Sequence, residues 1–206
     1  MDRGSAIKRK LVRCAREVFR KGYVIGSGGN ISARIGGVIF LKAKGAKLKS
    51  STIDDYVPVR IKDGKVASKG ASPSFEMPLH LACYRARPDI NAVIHTHPLF
   101  ATVYAMSGKE LRHISYETMA VMRSTVPVIR RITPGSRVLA REVAVALKDH
   151  NAALLKNHGA VVVGKDLDEA LLRTEALERM CAICVLSKLT GKPRFIPDIE
   201  LARCAG

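Results

Sequence analysis

The heptapeptide Ala92–Pro98, AVIHTHP, leads three apolar residues into two histidines that stand one residue apart, and it ends at a proline. Side chains of an extended strand alternate between its two faces, so His95 and His97 are expected on one face and Thr96 on the other. Two imidazoles on one face, at the end of a buried strand, form half of a metal site.

A third candidate ligand, His158, lies in an Asn-His-Gly sequence between two apolar runs that are typical of strands. A catalytic zinc takes three protein ligands and keeps a fourth position open for water or substrate. Most histidines bind nothing, and short motifs give false positives. The pair closed by a proline, with a further His-Gly turn downstream, nevertheless favours a metal site over three unrelated histidines.

The length and composition indicate one globular domain with a sizeable core. The chain has 206 residues, of which 47% are hydrophobic and 26% charged. No apolar stretch reaches the ~20 residues that cross a bilayer, and the first residues lead into a charged helical pattern rather than the apolar core of a signal peptide. These features predict a cytoplasmic protein with no membrane partner.

The charge balance is strongly basic, with a formal net charge of +17. Such a surplus could neutralise nucleic-acid phosphates or steer a small phosphorylated substrate. The basic residues are spread along the chain, tryptophan is absent and aromatic residues make up 5%. Nucleic acid is therefore the weaker hypothesis.

The five cysteines are an odd number and argue against a disulfide framework. Cys181 and Cys184 form a C-x-x-C motif, which can be redox-active or metal-binding. They continue a stripe with helical spacing that includes Ala170, Thr174 and Leu177. This spacing favours packing residues on one helix face.

A glycine-rich stretch, 26–32 (GSGGNIS), precedes the first strand pattern. It is either a flexible turn or a cradle whose backbone N–H groups approach a phosphate. Further on, Ser74 is a candidate N-cap and Pro78 fits only the first turn of a helix. Glu76 then stands at the start of that helix, either as a carboxylate favoured by the helix dipole or as part of the histidine site.

The remaining patterns predict an alternation of helices and strands. Helices are expected over residues 5–21, from about 74 to 87, and over 99–106, 136–148 and 166–189. Hairpins are expected over 31–41 and 56–68, with one strand on each side of His158. Residues 190–206 form a tail with no clear role, within a single domain that spans 1–206.

Four motifs taken together resemble the class II aldolase/adducin family over about residues 11–189. They are GGNIS at 28–32, PSFE at 73–76, HTHP at 95–98 and NHG at 157–159. The resemblance implies an α/β fold, a central and mainly antiparallel sheet flanked by helices. It also implies a homotetramer with active sites at the subunit interfaces.

The resemblance further implies the roles of individual residues. His95, His97 and His158 would hold Zn²⁺ or another divalent metal, and Glu76 would reach the metal at rest and act as a base with substrate. Tyr116 would help proton transfer from the neighbouring subunit. The substrate phosphate would be bound by Ser27, Asn30, Gly45 and Ser74.

The phosphate pocket departs from the family pattern at two places. Phe75 stands where a second serine is common, and Ala43-Lys44 stand where a threonine usually precedes the loop glycine. Two hydroxyl donors are thus replaced, and charge from Lys42, Lys44 or Lys47 could substitute for them.

The implied reaction is aldol cleavage of a phosphorylated ketose, such as L-fuculose 1-phosphate, to dihydroxyacetone phosphate and a small aldehyde such as lactaldehyde. Cleavage leaves negative charge on the ketone half, which a Lewis acid stabilises. The reverse direction needs a base, offered by Glu76, and a proton donor, offered by Tyr116. The alternatives are dehydration or decarboxylation of a phosphorylated sugar and, from another class, an adducin-like binding module without catalysis.

Overall fold

The histidine strand lies in the middle of one α/β sheet. The computed structural model describes residues 3–68, 70–197 and 199–204. Within those ranges the strands, in chain order, are β1 (Asn30–Ile35), β2 (Val38–Lys42), β3 (Tyr56–Arg60), β4 (Ala92–Thr96), β5 (Val128–Ile129), β6 (Ala152–Leu155) and β7 (Gly159–Gly164). They form a seven-stranded sheet of order β3-β2-β1-β4-β7-β6-β5. Every neighbouring pair is antiparallel except β5 and β6, so the predicted fold class is confirmed.

Helices cover both faces of the sheet. Their bounds are α1 (Arg3–Arg20), α2 (Met77–Ala86), α3 (Leu99–Ala105), α4 (Tyr116–Met122), α5 (Arg137–Ala146), α6 (Leu167–Leu186) and α7 (Ile199–Cys204). Helices α2 and α5 pack together over one face. Helices α1, α3 and α6 contact the opposite face.

The central strand β4 alternates between these two layers. Val93 belongs to the core cluster beneath α2 and α5, whereas Ile94 belongs to the cluster beneath α1. Both residues are fully buried. Because the strand repeats every two residues, His95 shares the face of Val93 and therefore points toward the layer that contains α2.

The predicted hairpin over 31–41 is confirmed as β1 and β2, and the two strands around His158 are β6 and β7. The predicted hairpin over 56–68 is wrong in its second half. Only a single bridge joins Val66 to Val59, since Pro58 has no N–H with which to continue the ladder on the outer edge of β3. The sequence patterns also missed the two-residue strand β5 and the short helix α4.

The C-terminal tail is not wholly irregular, because part of it forms α7. Cys181 and Cys184 are buried in α6, and both are free thiols, as their helical spacing predicts. None of the helices in the described ranges combines the length and apolar character that a membrane span requires.

Replacement of Gly159 by alanine is expected to destabilise the fold at the join between β4 and β7. A Cβ there would lie 2.2 Å from the Thr96 carbonyl oxygen and 2.7 Å from His97 Cδ2. Such overpacking costs about 1–3 kcal/mol of unfolding free energy, to be measured by urea denaturation. Gly37→Ala is the matched control, because a Cβ at Gly37 meets no atom within 4 Å. Equal stability of the two variants would contradict the close packing of Gly159.

Candidate metal centre and active site

Three imidazoles face one another at the end of the central strand. The Nε2 atom of His95 lies 3.1 Å from Nε2 of His97 and 3.3 Å from Nε2 of His158. One nitrogen from each ring can be chosen so that all three atoms lie within 4.8 Å of one another. The structure thus brings together the three histidines that the sequence singled out.

The register of the sheet accounts for this convergence. His95 pairs across the ladder with Asn30 of β1, and Thr96 pairs with Ala160 of β7. The turn between β6 and β7 carries His158, and Leu155 pairs with Gly159 across its base. Because β7 lies beside β4, this turn places His158 next to the end of the histidine strand.

Burial keeps the rings of His97 and His158 neutral, and a hydrogen bond orients the ring of His95. His95 Nδ1 donates to the carbonyl oxygen of Ala160 at 2.9 Å, which directs Nε2 toward the other two histidines. Burial lowers the pKa of His97 to about 3 and that of His158 to about 4. Neutral imidazole is the form that ligates a metal.

Glu76 is brought to the same point from the start of α2. Its Oε2 lies 3.0 Å from His95 Nε2, and its Oε1 lies 3.7 Å from His158 Nε2. Burial acts to raise the pKa of this carboxyl, but hydrogen bonding and charge from His95, together with a hydrogen bond from Asn30, hold the pKa at about 2. Glu76 is therefore a carboxylate, 2% exposed, with Oε1 buried and unpartnered.

The predicted N-cap role of Ser74 is wrong. Glu76 occupies the N-cap position of α2, with no side-chain capping bond. The Ser74 hydroxyl instead accepts a hydrogen bond from the Glu76 backbone N–H at 3.3 Å. Pro78 lies in the first turn of α2, as predicted, and the helix begins at Met77, just after Glu76.

The donor set fits a divalent metal. Zinc–nitrogen bonds of about 2.0–2.1 Å in a tetrahedral arrangement place the ligand nitrogens about 3.3–3.4 Å apart. The two Nε2 separations from His95, 3.1 and 3.3 Å, agree with this spacing. Three converging imidazole nitrogens, beside the Oε1 of Glu76 that has no hydrogen-bond partner, form a nitrogen-and-oxygen site of the kind that zinc binds.

A buried hydrogen-bonded chain supports the carboxylate from behind. Asn30 donates through Nδ2 to Glu76 Oε2 at 2.9 Å, and its Oδ1 is hydrogen-bonded to His80 Nε2. His80 Nδ1 lies 2.7 Å from Ser32 Oγ, and Tyr84 closes the chain through its hydroxyl at 2.9 Å from the same Oγ. With the His80 Nε2–H donating to Oδ1, the amide must turn its NH₂ group toward Glu76.

His80 was not predicted as part of the site. It is fully buried, and burial lowers its pKa to about 3, so the ring is neutral. Its position one turn after Glu76 on α2 was the only signal available in the sequence. Its contacts with Asn30 and Ser32 on β1 arise from the packing of α2 on the sheet.

A cavity of about 440 Å³ opens beside the carboxylate and two of the histidines. All four residues predicted to bind phosphate line this cavity, and so do Lys42, Lys44 and Phe75. Gly29 allows the loop to lie against the strand, since it has φ +66° and a Cβ there would lie 3.0 Å from the His95 carbonyl oxygen. The four residues predicted to bind phosphate are Ser27, Asn30, Gly45 and Ser74.

Lys42 is the buried cation of this cavity. It is 3% exposed, and its Nζ donates to the carbonyl oxygens of Ser27 and Ala46, each at 2.7 Å. Burial lowers the pKa of Lys42 to about 8, although the charges of Asp55 and Glu76 oppose that shift. An ammonium has three N–H donors, so one remains for a ligand.

Tyr116 is not brought to the site within this chain. It begins α4, is 58% exposed, and is absent from the described lining of the cavity that contains Glu76. Its neighbour Glu117 forms an exposed ion pair with Arg179 at 3.4 Å. The structure therefore leaves the predicted role of Tyr116 as a prediction.

The chain is similar in sequence and in fold to known proteins. The model of the family "Class II Aldolase and Adducin N-terminal domain" matches residues 9–185. An L-fuculose phosphate aldolase of Methanocaldococcus jannaschii is 36% identical over 185 residues, which are 90% of this chain and 99% of that protein. A 5-deoxy-D-ribulose 1-phosphate aldolase of Bacillus thuringiensis serovar kurstaki is 30% identical over 200 residues, 96% of this chain and 93% of that protein.

A solved structure of an L-fuculose 1-phosphate aldolase superposes with a TM-score of 0.91 at 30% identity, covering 97% of this chain and 94% of the other. The chain therefore belongs to the class II aldolase and adducin family. It is an enzyme, a lyase with class II aldolase function. The family is metal-dependent, and the cluster of His95, His97 and His158 could hold the ion.

Replacing any one of the three histidines by alanine is expected to weaken binding of a divalent metal by more than ~100-fold. Loss of an outer-shell partner alone costs about 10–100-fold, and each of these residues contributes one of three converging nitrogens. Equilibrium dialysis against Zn²⁺ measures the change. His150→Ala is the matched control, since His150 bonds to the Thr125 carbonyl oxygen and is not in the cluster. Wild-type affinity in any of the three variants would exclude that residue as a ligand.

Proposed function

We propose that this member of the class II aldolase family cleaves and forms a ketose 1-phosphate, such as L-fuculose 1-phosphate, with dihydroxyacetone phosphate and a small aldehyde such as lactaldehyde as the two halves. The observation that carries the proposal is the carboxylate of Glu76, held 3.0 Å from an imidazole of the three-histidine cluster. A base beside a metal site and a polar cavity is the minimum equipment for removing a proton next to a carbonyl.

The cofactor that we propose is Zn²⁺, with another divalent metal as the alternative. His95, His97 and His158 would be its ligands, and Glu76 would be a fourth in the absence of substrate. When bound there, the ion would supply a Lewis acid that polarises the substrate carbonyl and stabilises negative charge. Nitrogen ligands with an unpartnered carboxylate oxygen nearby support this assignment.

Glu76 is the general base in this proposal. Its low pKa keeps it ionised, and its Oε1 has no hydrogen-bond partner among the described residues, so this oxygen is available to accept a proton. It would take the proton from the hydroxymethyl carbon of dihydroxyacetone phosphate in the synthetic direction. Asn30 and His80 hold the other oxygen in place, so the carboxylate keeps one orientation as the proton moves.

The phosphate group would lie at the far side of the same cavity, against the loop residues. Gly45 brings backbone close to the cavity, and Lys42 adds a positive charge where a hydroxyl donor is replaced. Phosphate prefers charged donors and backbone N–H groups of this kind. The lining residues assigned to the phosphate are Ser27, Asn30, Gly45 and Ser74.

The proton donor to the aldehyde oxygen would be Tyr116 of a neighbouring copy in a homotetramer. The exposure of this tyrosine, 58%, supports a role outside its own chain. A cytoplasmic location is also proposed, because four cysteines of the described residues are buried free thiols: Cys14, Cys83, Cys181 and Cys184.

Exchange of a proton of dihydroxyacetone phosphate with deuterated solvent should separate the roles of the two catalytic residues. Glu76→Gln is expected to lose ~10²–10⁴ in both exchange and aldol rate, because it lacks the base. Tyr116→Phe is expected to lose the aldol rate and to keep the exchange. Exchange at the wild-type rate in Glu76→Gln would remove Glu76 as the base.

The wild-type protein provides the test of the reaction class. If it exchanges no proton with Zn²⁺, Mn²⁺ or Co²⁺ present, aldol chemistry is contradicted. A screen of phosphorylated sugars for water or carbon dioxide release would then test the dehydratase and decarboxylase alternatives.

Lys42→Met is expected to raise the KM for the phosphorylated ketose by at least ~10-fold, because an ion pair with phosphate is lost from a buried position. Lys62→Met, at an exposed lysine outside the cavity, is the matched control. The wild-type KM should also rise above about pH 8, since the ammonium is charged below its pKa and neutral above it. An equal loss with dihydroxyacetone phosphate and unphosphorylated dihydroxyacetone would show that Lys42 only supports the fold.

A further inference from the structure

A second cavity meets the candidate active site at His158. It has a volume of about 600 Å³ and is formed by the segment that follows β5 and by the turn that carries His158. Among the described residues, His158 is the one that lines both this cavity and the 440 Å³ cavity beside Glu76. A substrate with its phosphate in the first cavity and its reacting carbons at the histidines therefore has space for its other half in the second.

This second cavity is cationic. Arg130, Arg131 and Lys156 line it, and no carboxylate is among its described lining residues. None of the three cations has an ion pair to a carboxylate in the described parts of the chain, although many other arginines do. We call it the arginine cavity.

The sheet places two of these cations at adjoining strand ends. Strands β5 and β6 are parallel, with Ile129 beside Leu155, and the backbone N–H of Lys156 donates to the Ile129 carbonyl oxygen at 3.0 Å. Arg130 and Lys156 each follow the last residue of one of these two neighbouring strands. Like charges at adjacent positions of a sheet repel each other, and a bound anion would remove that repulsion.

Neutral hydrogen-bond donors add to the lining, beside the apolar side chains of Ile132, Pro134 and Val138. Thr133 and Ser136 add hydroxyl groups, and Asn157 adds an amide next to His158. Arginine guanidinium groups bind carboxylate and phosphate through paired N–H donors. The cationic and hydroxyl-bearing part of the cavity therefore has the chemistry of an oxyanion site, and the apolar side chains are suited to the carbon chain that carries the anionic group.

We propose that the arginine cavity binds a carboxylate or phosphate group carried by the aldehyde half of the substrate, so that the enzyme accepts anionic aldehydes in preference to neutral ones such as lactaldehyde. The inference rests on the proposed aldol function. In the step concerned, a bond forms between the carbon of dihydroxyacetone phosphate that gives its proton to Glu76 and the aldehyde carbon. The aldehyde oxygen takes up one proton, so atoms and charge balance, and the anionic group itself is unchanged.

Condensation rates with matched aldehydes test the proposal. Succinic semialdehyde against butyraldehyde reports a carboxylate, and glyceraldehyde 3-phosphate against glyceraldehyde reports a phosphate. We expect kcat/KM to favour the anionic member by at least 10-fold in one pair, and the preferred pair identifies the group. Preference for neither anionic aldehyde would overturn the inference.

The double variant Arg130→Gln/Arg131→Gln is expected to reduce that preference at least 5-fold. Arg141→Gln is the matched control, because Arg141 is an exposed arginine of α5 that pairs with Glu142 and lies outside the cavity. It should keep the wild-type ratio. A ratio unchanged in the double variant, or reduced equally in the control, would overturn the assignment to these arginines.

Deuterium exchange in the same preparations separates this inference from the proposed function. Normal exchange into dihydroxyacetone phosphate without preference for anionic aldehydes overturns the inference alone. Absent exchange overturns the aldol function, and calorimetric titration with succinic semialdehyde and with butyraldehyde then tests the cavity directly. Binding of the anion that is lost in the double variant would support an anion site, and equal binding of both aldehydes would overturn it.

Discussion

The whole site depends on three imidazoles, one buried and two partly buried, that are held with a nitrogen of each ring facing the other two. The three rings can form few hydrogen bonds with one another, so the surrounding sheet must position the histidines. The central strand supplies His95, and the neighbouring hairpin brings His158 to it. Gly159 lets the two backbones approach, because no Cβ fits beside the Thr96 carbonyl oxygen. The packing of the sheet thereby fixes the three histidines in the arrangement that would bind a divalent ion.

Asn30 links the proposed base to the space assigned to the substrate phosphate. Asn30 contacts Glu76 on one side and His80 on the other, and it also lines the space assigned to the phosphate. The side-chain amide of Asn30 therefore contacts the proposed base and also borders the region where the substrate anion would lie. Fixed dipoles of this kind cost no reorganisation when charge moves during a reaction. The hydrogen-bonded chain to Ser32 and Tyr84 anchors that amide to the core.

The sequence predicted the parts of this arrangement that have a local signal. Alternation in a strand placed His95 and His97 together, and apolar runs located the hairpin around His158. Glu76 was linked to them only by family resemblance, because its approach depends on how α2 packs on the sheet. His80 was signalled only by its place one turn after Glu76, since its contacts with Asn30 and Ser32 depend on how α2 packs on β1. The arginine cavity had no local signal, since β5 is two residues long and its register with β6 is a tertiary property. Ser74 was wrongly taken as an N-cap, because its hydroxyl bonds to the Glu76 N–H before the helix begins.

X-ray absorption at the metal edge tests the central claim most directly. The purified protein, loaded with one equivalent of Zn²⁺, should show nitrogen or oxygen neighbours at about 2.0–2.2 Å, with the outer-shell scattering of three imidazoles. Addition of dihydroxyacetone phosphate should keep the imidazole signal and alter the oxygen neighbours. Sulfur neighbours near 2.3 Å, or fewer than two imidazoles, would contradict a site built from His95, His97 and His158.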